Sequence, residues 1–128
     1  MPFLLDTNVL IHLRDGDHTV SAKVSDLGGA VLMSIVSRVE LEGGVYRDLA
    51  YVELRRDRLD AMLEAIPAIA FDDECAEAYS AILAAAGYSR RKLLDRMIAA
   101  QAIVHKATLV TMNGPDFADI ARLDTLAW

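Results

Sequence analysis

Phe3-Leu4-Leu5-Asp6-Thr7-Asn8-Val9-Leu10-Ile11 is the stretch that decides the fold: an apolar run, an acid, and then residues that open a helix. Further short apolar runs follow at Val31-Leu32-Met33, Ala68-Ile69-Ala70-Phe71 and Thr108-Leu109-Val110-Thr111, each separated from the one before by at least one stretch with helical spacing. Strands that alternate with helices define an α/β class. A strand with one wet face would alternate apolar with polar residues, whereas these runs are apolar throughout. The sheet is therefore expected to be mostly parallel and covered by helices on both faces.

The intervening segments agree. Between Leu49 and Ile66, the residues Val52, Leu59, Met62, Leu63 and Ile66 recur at helical spacings among Arg and Asp, so one face is expected to be buried and the other wet. Ala76 to Ala86 and Leu93 to Val104 repeat the pattern. Gly87 followed by Ser89 suits a helix stop and a loop, and Asn113-Gly114-Pro115 is a turn by composition.

A chain of 128 residues that is 54% hydrophobic can bury one full core, and a single domain over residues 1–128 is expected. No apolar run reaches the roughly 18 residues that span a bilayer, and Met1-Pro2-Phe3-Leu4-Leu5-Asp6 lacks the basic start of a signal peptide. A cytoplasmic location is expected. The single cysteine, Cys75, has no disulfide partner and no spaced Cys or His companions for zinc, so it is expected to fill core. The net charge of −6 argues against nucleic acid as a partner, since phosphate binding normally draws on an excess of Lys and Arg. Its distribution weakens that objection. Basic residues bunch at Arg55-Arg56-Asp57-Arg58 and at Arg90-Arg91-Lys92, and a metal ion held by carboxylates adds positive charge that a residue count omits. The ordinary reading of each run is a solvated helix face. Because Arg90, Arg91 and Lys92 precede the helix bearing Asp95, they are also candidates for holding phosphates at its edge of the sheet.

Asp6 ends a strand, at the sheet edge where open parallel sheets bind ligands. Taken alone, Asp6 or Thr7 could simply cap the following helix. Asp95 lies in a helix beside Leu94, Ile98 and Ala99, expected to be buried, where a carboxylate needs a compensating cation. Arg91 or Arg96 could supply it as an ion pair, or a divalent metal could, with Asp6 as co-ligand. Glu40 borders a helical face formed by Val36, Val39 and Gly43, while its neighbour Glu42 is expected to be a solvated acid. Asp116 follows the run Thr108–Thr111 and the turn after it, and by itself would be a turn residue. Each acid has an ordinary explanation; their agreement in position is the evidence. Clustered carboxylates raise one another's pKa unless cations neutralise them, so the pattern implies bound Mg²⁺ or Mn²⁺. Two such ions can activate water and stabilise the leaving oxygen of a phosphodiester, which makes nuclease chemistry the natural reaction.

Several separated segments together resemble the PIN-domain ribonucleases, and among them the VapC-type toxins of toxin–antitoxin pairs. Phe3 to Ile11 is similar to the family's opening strand and first acid, and Ser34 with Glu40-Leu41 and Gly43 to its second block. Leu94 to Ala102 resembles the third, and Leu109 to Asn113 with Asp116-Phe117 the fourth. The resemblance covers nearly the whole chain. It implies a three-layer α/β/α sandwich on a mostly parallel five-stranded sheet, and a Mg²⁺- or Mn²⁺-dependent endoribonuclease acting on cellular RNA such as tRNA or rRNA. It further implies a homodimer neutralised by a small antitoxin. Asp6, Glu40, Asp95 and Asp116 would be its acidic cluster, with Asp6, Asp95 and Asp116 as metal ligands. Gly114-Pro115 occupies a stretch that in the family often holds ordinary polar residues.

Other α/β readings fit less well. A phosphoacceptor receiver needs an acidic pair after its first strand, but Asp6 stands alone and Asp57 sits among arginines on a helix. A haloacid-dehalogenase-type phosphatase needs a second Asp two positions after the first, where this chain has Asn8. A non-catalytic PIN-fold module that binds RNA or protein would be expected to have lost one of the acids, and none is missing. His12, His18 and His105 are too scattered to form a site.

Overall fold

A computed structural model describes all 128 residues. Strands β1 (Phe3–Leu5), β2 (Val31–Ser34), β3 (Ala68–Ile69), β4 (Thr108–Thr111) and β5 (Thr125–Ala127) form one sheet in the order β3-β2-β1-β4-β5. Every neighbouring pair is parallel. The helices are α1 (Thr7–Arg14), α2 (His18–Ser25), α3 (Ile35–Arg47), α4 (Val52–Ala65), α5 (Asp73–Ala86) and α6 (Leu93–Val104). None is long and apolar enough to cross a membrane.

The apolar character of the central strands explains the layering. Successive side chains on a strand point to opposite faces. Leu4 of β1 packs with Leu109, Ile98, Ala99 and Ile82 beneath α5 and α6, while Leu5 packs with Val110, Val9, Leu10, Met33 and Leu59 beneath α1 to α4. Leu4, Leu5, Leu109 and Val110 are wholly buried, and burying each stabilises the fold by about 1.5–3 kcal/mol. Helices on both faces make the expected three-layer α/β/α arrangement.

Local differences from the sequence pattern have physical causes. The run Ala68–Phe71 pairs only through Ala68 and Ile69; after that, the Ala70 carbonyl accepts from the Gln101 side chain instead of a strand. The helix expected from Leu49 begins as a 3-10 turn over Leu49–Tyr51, whose Ala50 N–H donates to the Asp48 side chain, and α4 starts at Val52. Leu94 is 41% exposed, because the first turn of α6 stands clear of the core that takes Ile98 and Ala99. Val39 is 67% exposed; α3 instead buries Val36, Leu41 and Val45.

Strand order places the site. The chain moves from β1 outward to β2 and β3, then returns to the other side of β1 for β4 and β5. The connections leaving β1 and β4 therefore diverge, which opens a crevice at their carboxyl ends, the usual ligand position in open α/β sheets. Asp6 is the first residue beyond β1, and its N–H donates to the Val110 carbonyl of β4 at 2.9 Å.

Candidate active site

Asp6 does cap α1, yet capping does not account for its surroundings. Its Oδ1 accepts from the Thr7 N–H at 2.8 Å and its Oδ2 from the Thr111 hydroxyl at 2.9 Å. Thr111 is itself oriented, since its Oγ1 accepts from the Asn113 N–H at 3.0 Å. Asp6 is 4% exposed. Burial pushes its carboxyl above the usual carboxylate range, and the nearby charges of Glu40 and Asp116 push the same way, against the hydrogen bonds from Thr111 and Thr7.

Asp95 stands in the first turn of α6. Its carboxyl is also raised, first by burial, then by Asp6 and Asp116, with Lys92 and Arg91 pulling back. It forms no ion pair. Arg96, one of the candidate partners, donates instead to Asp119 at 3.1 Å and to the Gly87 carbonyl. Glu40 projects from α3, and its Oε1 accepts from the Thr7 hydroxyl at 2.9 Å. The same hydroxyl lies 2.8 Å from Ser37 Oγ. Thr7 has one hydroxyl proton and gives it to Glu40, so Ser37 is the donor of the second bond. Asp116 sits in the 3-10 turn Gly114–Phe117 after β4, half-buried, close enough to raise both Asp6 and Asp95.

These groups border a cavity of about 490 Å³. Asp6, Glu40 and Asp95 line it, together with Thr7 and Asn8; Ile11 is the single apolar residue of the lining. Asp116 stands beside the cavity and couples to it through charge. Arg14, Arg47 and Arg55 line it too. No three His, Cys, Asp or Glu side chains are arranged so that they could hold a metal ion between them. The donor set nevertheless suits a hard cation: carboxylate oxygens whose burial and mutual repulsion leave them short of positive charge. An ion bound through one or two carboxylates with water in its remaining positions is the mode Mg²⁺ favours.

The sequence pattern brought the four acids to one sheet edge but did not mark their supports, Thr7, Ser37 and Thr111, as a group. Nor did it mark the arginines of the cavity lining. Glu42 is ion-paired with Arg56 and Arg38, and Arg56 also with Asp60. Arg90 and Arg91 are exposed outside the cavity, and Lys92 pairs with Asp119 at 3.4 Å. Cys75 is buried, as its isolation implied.

A five-stranded parallel sheet with six helices packed on it is a PIN-like α/β fold. The chain belongs to that family: the PIN domain family model matches residues 3–123. Among solved structures, it is similar over 100% of its length to 99% of a chain of VapBC2 from Rickettsia felis bound to a DNA fragment from their promoter, with 26% identity and a TM-score of 0.87. FitAcB from Neisseria gonorrhoeae matches 97% of this chain and 96% of its own, at 27% identity and TM-score 0.82. DNA-bound VapBC from Salmonella typhimurium, at 22% identity over 100% and 98% of the two chains with TM-score 0.85, shares the fold. No curated protein matches in sequence.

Proposed function

We propose that the protein is a metal-dependent endoribonuclease, the toxin of a VapBC-type toxin–antitoxin pair, acting in the cytoplasm on cellular RNA such as tRNA or rRNA. The observation that carries this reading is the buried Asp6 carboxylate held at the strand-order reversal with Glu40, Asp95 and Asp116 close enough to raise it or be raised with it. A structural role for so many facing acids would be self-defeating, because like charges in a partly dry pocket oppose folding.

Asp6, Asp95 and Asp116 would hold Mg²⁺ or Mn²⁺, one or two of them directly and the rest through the ion's water; when bound, the ion supplies charge to offset the phosphate and lowers the pKa of water. The chain's own residues orient the rest. The Thr7 N–H and the Thr111 hydroxyl fix both oxygens of Asp6, leaving each a free lone pair. Ser37 and Thr7 pass a hydrogen-bond chain to Glu40, an exposed residue whose carboxylate is oriented by it. In that position Glu40 can accept the proton of a water that attacks phosphorus as the P–O bond to the leaving sugar breaks. Arg90, Arg91 and Lys92 are proposed to contact RNA phosphates outside the cavity. Purified protein is expected to cut RNA with added Mg²⁺ or Mn²⁺ and to stop when EDTA is in excess. Robust cleavage in EDTA would overturn the metal dependence.

We further propose a homodimer inhibited by a small partner that inserts a basic side chain among the acids. The reading draws on the solved structures similar to this chain, which are VapBC or Fit complexes, one described as a toxin-antitoxin complex from Klebsiella pneumoniae. A cation there would relieve the same repulsion a metal does. Co-expression with the small adjacent reading frame should yield a complex with suppressed cleavage. A monomer at micromolar concentration that captures no such partner would count against the toxin role and leave the nuclease standing.

A further inference from the structure

We infer that Arg47 and Arg55, which line the cavity together with the acids, form an anion subsite that takes a backbone phosphate of single-stranded RNA adjacent to the one attacked at the acids. The inference rests on the nuclease reading and adds where the substrate runs.

The arginines near this cavity are not equivalent. Arg38 and Arg56, on the same two helices, are neutralised by Glu42 and Asp60. Arg47 and Arg55 pair with no carboxylate, although the chain carries 19 acids against 13 Lys and Arg. In a protein of net charge −6, cations left unpaired beside a cavity are the feature that needs explaining. Arg55 is also held in place: its Nη1 donates to the Gly44 carbonyl at 3.0 Å, and its guanidinium lies 5.5 Å from the centre of the Tyr51 ring. A fixed guanidinium gives up less side-chain entropy on binding an anion than a mobile one.

Gly44 organises a second cation. Arg14 is 6% exposed, and its Nε and Nη2 are taken by Asp15 at 3.1 Å each. Its Nη1 approaches Gly44 so closely that a Cβ at residue 44 would stand 2.9 Å from it. One glycine thus leaves room for Arg14 and, through its carbonyl, orients Arg55, while Arg47 follows three residues later on the same helix and is exposed. Asp6, Glu40 and Asp95 line the same cavity. A polyanion approaching the acids alone would be repelled; unpaired cations in the lining hold the chain while the acids meet the phosphate to be cut.

Phosphate suits these cations because guanidinium groups bind its oxygens in pairs. The cavity carries one apolar residue, which gives a peptide side chain little to bury.

The test is binding of a fluorescent single-stranded RNA in Mg²⁺ to the full chain made inactive by Asp95→Asn, titrated across salt concentrations, alongside cleavage by the active chain. Adding Arg47→Ala and Arg55→Ala should raise Kd for unrelated sequences alike and flatten the slope of log affinity against log salt by about 0.7, the value for one phosphate contact on a single strand. In the active chain, KM should rise more than kcat falls, and Arg55→Lys should restore part of the binding. Arg90→Ala with Arg91→Ala is the comparison for a rim outside the cavity. Should the double substitution at 47 and 55 impair folding, Arg47→Glu at its exposed position gives the same readout. An unchanged Kd and slope would overturn the subsite while wild-type cleavage still upheld the nuclease. Loss of partner capture with RNA binding intact would assign these arginines to a protein and overturn the subsite equally. A wild-type chain that neither binds nor cuts RNA would remove the nuclease reading and the subsite together.

Discussion

Asp95→Asn is expected to give a folded protein that cleaves RNA on the order of a thousandfold more slowly than the wild type, the scale of loss when a group that organises transition-state charge is removed. Stability should move the other way. The substitution keeps the shape of the side chain and deletes a charge that burial, Asp6 and Asp116 all oppose. In the folded chain the Asp95 carboxyl is raised above its unfolded value, so between the two values the native state binds more protons than the unfolded state. Its contribution is therefore complete below the ordinary carboxyl range and lost as pH rises through the raised value. Urea unfolding in EDTA should show Asp95→Asn as stable as the wild type or more so at pH 7, with the difference shrinking on acidification. Asp6→Asn should lose activity equally but gain less stability. Its amide oxygen can still accept from Thr7, while its amide nitrogen must meet the Thr111 hydroxyl, which already accepts from Asn113. A loss of several kcal/mol from either substitution in metal-free protein would return these acids to a structural role.

Gln101→Leu should destabilise the fold by about 3 kcal/mol with little change in side-chain volume, since each buried polar group left unpaired costs about 1–3 kcal/mol. Gln101 is wholly buried in α6. Its Nε2 donates to the Ile69 and Ala70 carbonyls at 3.0 Å each, and its Oε1 accepts from the Ser34 hydroxyl. Ser34 in turn caps α3 by accepting from the Val36 N–H at 2.9 Å. One amide thus ties the end of β3, the end of β2 and the start of the helix that carries Glu40. A cost well under 1 kcal/mol in chemical denaturation would mean that water replaces these bonds and that the network does not hold the sheet edge together.

Neither Gln101 nor its partners were legible as a network, because a glutamine among alanines on a helix reads as a wet position until the opposing strand ends are known. Strands β1, β2 and β4 were legible for the opposite reason: burial on both faces demands unbroken apolar runs, and such runs are visible in the chain. β5 is an edge strand whose three residues are exposed, so nothing required them to be apolar. α2 buries only Val20 and left no periodicity to read.

Asp6 and Asp116 were placed by their position after strands, whereas Glu40 and Asp95 lie on helices and were placed by helical phase against apolar neighbours. Of their helical neighbours, Val39 and Leu94 proved exposed, because spacing defines a face but not what that face meets.

The sequence by itself determined the alternation of strand and helix, and with it a parallel sheet whose acids follow strand ends. Those are consequences of local pattern and burial. Only the tertiary structure decided which charges are neutralised. Arg55, Arg56 and Arg58 stand together in one short run, yet Arg55 enters the cavity, Arg56 pairs with Glu42 and Asp60, and Arg58 donates to the Arg14 carbonyl. A helix turns by roughly 100° per residue, so neighbours in sequence meet different surroundings, and the partners that decide their chemistry arrive from distant parts of the chain.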